Sequence, residues 1–307
     1  MVTPPPLRTG DTIAIVPTAR AITLEELRPG VALAESWGLK VRLGAGVGRK
    51  DFQQAGTAGE RAADLQQALA DPEVKAVWCA RGGYGTVHLL ELLDLSILRS
   101  RPKWIVGFSD ITVLHSALHH AGLASLHAQM PFNIAAKSAE CTASLRQALF
   151  GRCNAVHRPG ARPLDRTGTA HGVLIGGNLS ILYALRGTPY DLSTRGKVLF
   201  IEDLDELLYH VDRMVMNLKL GGLFNGLAGL VVGGMSDMHD KDPSDPFGLS
   251  AEGIIARAVA RADFPVCFGM PAGHLGDNRA LALGQKTKLS VAADGATLSF
   301  ADGGDAA

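Results

Sequence analysis

Net charge is the first thing this sequence lacks. Its 30 Lys and Arg are matched by 30 Asp and Glu, for a formal net charge of zero. Without a basic excess there is no electrostatic stripe for nucleic acid or for an anionic membrane surface. The expected partner is a small, uncharged or zwitterionic molecule. Cysteine is sparse too. The four, Cys79, Cys141, Cys153 and Cys267, are scattered and form no C-x-x-C pair, which argues against a zinc site or a redox couple. Cys79 and Cys267 fall in apolar, strand-like runs, where a thiol is a small buried hydrophobe. No apolar stretch approaches bilayer length, and the Pro-rich start, residues 1–10, carries no apolar segment of the kind a secretory signal needs. H-E-x-x-H is absent. His239, Asp240 and Asp242 sit in a polar loop without a further matched ligand, so neither a metal nor an organic cofactor is expected. Internal repeats and low-complexity tracts are missing. These absences predict a reduced, cytoplasmic protein that binds neither nucleic acid nor membrane.

What is present is an ordinary packed composition, 47% hydrophobic and 20% charged over 307 residues, enough for one large α/β domain or two modest ones. In the first half, strand patterns alternate with helix patterns. Thr12–Val16, Lys40–Leu43, Lys75–Cys79, Lys103–Val106 and Ala124–His127 read as strands. Leu24–Trp37, Gly59–Leu69 and Ile111–His120 read as helices, the first with Thr23 and Glu26 as a capping box. This alternation predicts a parallel sheet covered on both faces. Residues 137–167 lack strong periodicity and carry Pro159, Gly160 and Pro163, the signature of a linker. The division predicted is therefore an N-terminal domain over 1–136, a linker over 137–167 and a C-terminal domain over 168–307. The C-terminal domain is richer in short strands: Gly172–Ile175, Lys197–Ile201, Gly229–Gly233, Val266–Phe268, Ala280–Leu283, Lys288–Val291 and Thr297–Phe300. Two helices, Ile181–Leu185 and Val211–Leu220, interrupt them, and Gly303–Ala307 is expected to fray.

The segment from Trp104 to Thr112 is the first to suggest chemistry. An apolar strand runs into Ser109, and a helix pattern begins directly after it. Acyl-transfer enzymes use such a strand-to-helix turn to hold a serine Oγ out of the sheet, with the next backbone N–H aimed at the developing oxyanion. Gly107 gives the turn room. Ile111 stands where the hydrolase G-x-S-x-G elbow has its second glycine, so this is a departure from that pattern, and a serine after a strand also serves as a plain helix cap. The glycine-rich run Arg81–Thr86 follows another strand. It matches neither the dinucleotide nor the P-loop motif. It can cradle a phosphate, donate to an oxyanion or merely turn the chain, and Gly83 and Ser109 each lie just past a strand's carboxyl end, where parallel sheets bind ligands. His274 sits on a Gly- and Pro-punctuated loop after a strand, a suitable place for a general base among the ten histidines. Glu202 ends a buried strand, where a carboxylate needs a partner such as a histidine N–H. Asp203, Asp205 and Glu206 crowd the same segment, and chemistry alone does not choose among them.

Taken in order, seven segments resemble the LD-carboxypeptidase family of serine peptidases: Gly10–Pro17, Arg81–Gly85, Gly107–Asp110, Gly176–Leu179, Phe200–Asp203, Asp212–Arg213 and Gly273–His274. The resemblance extends along most of the chain. It implies an α/β fold with an N-terminal Rossmann-like domain carrying the nucleophile and a β-rich α/β C-terminal domain carrying the acid and base. It implies a triad of Ser109, His274 and Glu202, an oxyanion hole from the amides of Gly83 and Asp110, no metal or cofactor, and a homodimer. The substrate implied is cytoplasmic murein tetrapeptide, whose terminal D-alanine is removed during peptidoglycan recycling. A carboxypeptidase also needs a cation for the terminal carboxylate. Arg81 and Arg213 are candidates, with Tyr84 and Asn178 as further substrate-binding residues. Two rivals stand beside this reading: a related peptidase that cleaves a peptide-like antibiotic conjugate and confers immunity, and a non-catalytic anion-binding module in which Ser109 only caps a helix.

Overall fold

A computed structural model describes residues 1–152 and 155–300. Cys153 and the expected fraying of Gly303–Ala307 lie outside the described residues. The chain divides into two compact units. One comprises residues 1–152 together with Gly276–Gly284, and the other residues 155–275 together with residues 285–300.

The first unit is built from β1 (Thr12–Val16), α1 (Leu24–Ser36), β2 (Lys40–Leu43), α2 (Ala58–Ala70), β3 (Val74–Cys79), α3 (Ile97–Ser100), β4 (Trp104–Gly107), α4 (Thr112–His120), β5 (Ser125–His127) and α5 (Ala139–Leu149). β1 is apolar and buried along its whole length, as a strand covered on both faces must be. The capping box closes α1, with the Thr23 amide donating to Glu26 Oε2 at 2.8 Å and the Glu26 amide to Thr23 Oγ1 at 3.2 Å. Thr57 and Glu60 repeat it at α2. β1 to β5 pair in parallel in the order β2-β1-β3-β4-β5. This is a doubly wound arrangement whose order reverses between β1 and β3, so its crevice opens beyond their carboxyl ends. The Gly-rich turn follows β3 and Ser109 follows β4.

The second unit contains β6 (Ala155–Pro159), β7 (Gly168–Asn178), α6 (Leu179–Ala184), β8 (Val198–Leu204), α7 (Leu208–Leu220), β9 (Gly229–Ser236), α8 (Ala251–Ala258) and β10 (Val266–Cys267). The strands β11 (Leu281–Leu283), β12 (Lys286–Ala292) and β13 (Gly295–Phe300) follow. Its sheet runs β10-β9-β8-β7-β12-β13-β6, parallel from β10 to β7 and antiparallel from β7 to β6. α6, α7 and α8 pack over the parallel part, with Leu182, Met214, Leu218 and Ile255 in a continuous core.

Two expectations need correcting. Residues 137–167 are not an irregular linker, because α5 and β6 occupy much of that segment. β11, expected in the C-terminal domain, instead pairs antiparallel with β5 at the edge of the first sheet. The first unit is therefore discontinuous in sequence. Among the described residues no helix is long and apolar enough to cross a membrane.

Candidate active site

In the first unit the buried run of β4 delivers the chain to Ser109, which adopts φ +63°. A non-glycine residue in the left-handed region is held there by its surroundings. A Cβ on Gly107 would stand 2.8 Å from Ile111 Cγ1, so the bare glycine lets Ile111 fold over the turn. The departure from G-x-S-x-G thus has a packing explanation: the isoleucine fills the space that Gly107 leaves. The helix cap that serine commonly supplies is not made, since neither the short 3-10 turn Ser109–Ile111 nor α4 has a side-chain cap bond. Beneath the turn, His115 Nε2 lies 2.9 Å from the Gly107 carbonyl and Nδ1 lies 2.8 Å from Ser125 Oγ. A carbonyl only accepts, so Nε2 carries the proton and Nδ1 accepts from the serine hydroxyl. Burial lowers the His115 pKa to about 4, so the ring is neutral near pH 7.

The glycine-rich run lies against the serine. A Cβ on Gly82 would be 3.2 Å from Ser109 Cβ and 3.3 Å from its Oγ, so glycine is what lets the 82–83 peptide approach. Gly83 and Gly85 take φ +110° and +119°, which favour glycine. Gly82 thus brings the glycine-rich run against Ser109, the neighbourhood in which the amides of Gly83 and Asp110 were expected to act. Asp110 is fully buried. Its Oδ2 accepts from the Thr86 amide at 2.9 Å and from Thr86 Oγ1 at 2.6 Å. Burial raises its pKa, against the pull of the Thr86 bonds and of Arg61. Arg61, also buried, donates from Nη1 to the Thr18 carbonyl at 2.7 Å and the Gly85 carbonyl at 2.9 Å.

In the second unit the candidate base, His274, and the candidate acid, Glu202, are in contact. His274 Nδ1 lies 2.7 Å from Glu202 Oε2, and the His274 amide donates to the same oxygen at 3.1 Å. Glu202 is 0% exposed. Glu202 Oε2 already accepts from the His274 amide and acts here as an acceptor, so Nδ1 bears the ring proton and Nε2 is left with the lone pair that a general base uses. A bulge creates this contact. Between Ile201 and Asp203 the pairing of β8 with β9 slips, placing Gly233 and Gly234 opposite Glu202. A Cβ on Gly233 would lie 2.4 Å from the Ala272 carbonyl, one on Gly234 2.7 Å from Leu275 Cγ, and one on Gly273 2.4 Å from Glu202 Oε2. The loop carrying His274 settles into the space those glycines leave. Ser236 Oγ ties it down through the His274 carbonyl at 2.7 Å.

Behind Glu202 stands Asn178, the N-cap of α6. Its Nδ2 donates to Asp203 Oδ1 at 2.8 Å and to Glu202 Oε1 at 3.4 Å. It is 3% exposed, so it buttresses the acid from within the fold. Burial and the neighbouring Glu202 carboxylate push Asp203 up to about 7. Of the other candidates, Arg81 lies over the Phe132 ring at 4.0 Å and 3.6 Å from Glu26. Tyr84 is 56% exposed, beside His88. Arg213 is exposed on α7, over Tyr209. Thr86, Arg61, Ser236 and the paired Gly233–Gly234 were missed by sequence reasoning. Only the glycine pair, inside an otherwise apolar strand, carried a signal of close backbone approach. Among the described residues no cluster of His, Cys, Asp and Glu is arranged to hold a metal ion.

Serine turn, glycine-lined donors and a carboxylate-held histidine are the parts of a serine hydrolase. Comparison with known proteins places the chain among them. Residues 13–128 match the LD-carboxypeptidase N-terminal domain and residues 171–289 the LD-carboxypeptidase C-terminal domain. The chain is 36% identical to the probable murein peptide carboxypeptidase of Bacillus subtilis, over 94% of this chain and 92% of the relative. It is 31% identical to the murein tetrapeptide carboxypeptidase of Pseudomonas aeruginosa, over 90% and 92%. The crystal structure of muramoyltetrapeptide carboxypeptidase from Oxalobacter formigenes superposes with a TM-score of 0.85 at 28% identity, over 95% of this chain and 99% of that one. The chain belongs to the LD-carboxypeptidase family and is a serine-type hydrolase of that kind.

Proposed function

We propose that this enzyme is a cytoplasmic carboxypeptidase that cleaves an L,D-peptide bond, releasing the terminal D-alanine of murein tetrapeptide in peptidoglycan recycling. The observation that carries the reading is the buried His274–Glu202 pair at 2.7 Å. It sets the histidine tautomer that a serine nucleophile needs. Ser109 attacks the carbonyl of the L-residue while His274 Nε2 takes its proton. The amides of Gly83 and Asp110 stabilise the oxyanion. His274 then protonates the leaving D-alanine amine, and water repeats the sequence on the acyl-enzyme. Glu202 holds the ring and stabilises the imidazolium. Arg81 or Arg213 pairs with the substrate's terminal carboxylate, and the enzyme works as a homodimer, as the family resemblance implies. The names of the Bacillus and Pseudomonas relatives support the substrate.

A second reading is a peptidase that cleaves an antibiotic conjugate. It is favoured by 24% identity to the microcin self-immunity protein MccF of Escherichia coli, over 97% of this chain. Mass analysis after incubation with murein tetrapeptide, its C-terminal amide and an aminoacyl-nucleotide amide separates the two. The carboxypeptidase reading predicts loss of one alanine from the free acid and near-complete loss of activity on the amide, whose missing charge leaves the site's cation unpaired. Equal turnover of acid and amide, or cleavage of the nucleotide conjugate alone, would sink it.

A further inference from the structure

We propose that the Asp110 carboxylate is a positioning residue that holds the amides of Gly83 and Asp110 in one fixed geometry by gripping Thr86. The inference rests on the reading of Ser109 as nucleophile and names a part of its machinery. Oxyanion stabilisation requires donors preorganised before charge develops. The segment supplying one of them is rich in glycine, at positions 82, 83 and 85, and glycine has the most backbone freedom to lose. Something must hold that run still.

Asp110 does so from the other side of the site. Its amide follows the nucleophile directly. Its side chain crosses to Thr86, the first residue after the glycines, and accepts from both the amide at 2.9 Å and the hydroxyl at 2.6 Å. The Gly85 amide also favours the charged carboxylate. One residue therefore contributes a donor through its main chain and anchors the other donor's loop through its side chain. Arg61 completes the brace. It is 2% exposed, and its Nη1 clamps the Gly85 and Thr18 carbonyls at 2.9 and 2.7 Å. Its charge also offsets the negative charge that Asp110 brings close to a developing oxyanion.

The test uses a fluorophosphonate, which forms a bond from serine Oγ to phosphorus with loss of fluoride and places negative charge on the phosphoryl oxygen in the transition state. It needs no knowledge of the natural substrate. The limiting inactivation rate and half-saturating concentration are measured for wild type, Asp110→Ala, Asp110→Asn, Thr86→Val and Ser109→Ala, with the labelled residue found by mass spectrometry. Removing one oxyanion donor costs about 10²–10³ in rate. A donor left loose rather than removed should cost about 10–100-fold in Asp110→Ala and about 3–10-fold in Thr86→Val, with the half-saturating concentration unchanged. Asp110→Asn, whose Oδ1 still accepts from Thr86, should recover most of the rate. A merely structural role would lower the fraction of protein labelled and leave the rate constant alone. A wild-type rate constant in Asp110→Ala, or in Thr86→Val should the alanine variant fail to fold, overturns the inference while Ser109 labelling stands. Failure of wild type to label at Ser109 overturns the nucleophile reading itself.

Discussion

Replacing Glu202 with glutamine changes one atom in a site with no freedom to adapt. Glu202 is fully buried, and both its oxygens are in use: Oε2 accepts the His274 ring proton and amide, and Oε1 faces Asn178 Nδ2 at 3.4 Å. If the glutamine oxygen takes the place of Oε2, its NH2 confronts the Asn178 NH2. Asn178 cannot turn to oblige, because its Oδ1 already accepts from Ser180 Oγ at 2.7 Å and the Ile181 amide at 3.3 Å. If the NH2 takes the place of Oε2, it meets two donors of His274 and drives the ring proton to Nε2, which destroys the base. The first arrangement keeps the tautomer but loses the charge that stabilises the imidazolium. The corresponding aspartate-to-asparagine change in the chymotrypsin triad costs about 10⁴ in kcat. For Glu202→Gln the expected fall is about 10³, or ~4 kcal/mol of transition-state stabilisation, with KM within about threefold of wild type. Asp205 is exposed on its side chain, and Glu206 is engaged by His210 at 2.6 Å, so their amides should leave kcat within about twofold. Steady-state kinetics on murein tetrapeptide decide the matter. Near-wild-type turnover in Glu202→Gln beside a dead Glu206→Gln would refute the reasoning.

Ser109→Ala and His274→Ala should each abolish turnover, and the double variant should be no slower than either single one, because the two act as a unit; additive losses in kcat would contradict this. Gly273→Ala adds a Cβ 2.4 Å from Glu202 Oε2 at a residue with φ +101°, so both stability and activity should fall. The backbone alone accounts for about 1–2 kcal/mol, and an unchanged denaturant midpoint would count against the contact. His115 titrates at about 4 in the fold against 6.5 ordinarily. A lowered folded value means the unfolded chain binds the extra proton between those limits. Its contribution is therefore present above pH 6.5 and lost as pH falls to about 4, amounting to about 3 kcal/mol. Unfolding midpoints at pH 4.5 and 7 should converge in His115→Gln relative to wild type, and an equal pH dependence in the two would remove His115 as the source.

Features set by neighbours in sequence were legible before the structure. The apolar run of β1 and the Thr23–Glu26 capping box are examples, since each needs only residues within a turn or a strand. α5 was not legible, because what holds it comes from far along the chain. The Ser138 amide donates to the Gly276 carbonyl, Cys141 Sγ contacts the Asn278 carbonyl at 3.1 Å, and Ser144 Oγ accepts from the Ala280 amide at 3.0 Å. For the same reason Leu281–Leu283 falls by sequence in the C-terminal domain although it pairs with β5. At the candidate site, the resemblance named Ser109, Glu202 and His274, and the structure brings Glu202 to the His274 ring. Chemistry alone did not choose among the crowded carboxylates, because successive strand residues point to opposite faces. A bulge on the neighbouring strand decides which face receives the His274 loop.

The central claim is that Ser109 releases a terminal D-alanine, and the amino acid itself is the most direct evidence. Free D-alanine, assayed stereospecifically after murein tetrapeptide is incubated with wild type and with Ser109→Ala, should accumulate to one equivalent with the first and stay at background with the second. An intact tetrapeptide after incubation with wild type, or D-alanine released at a comparable rate by Ser109→Ala, would contradict the account.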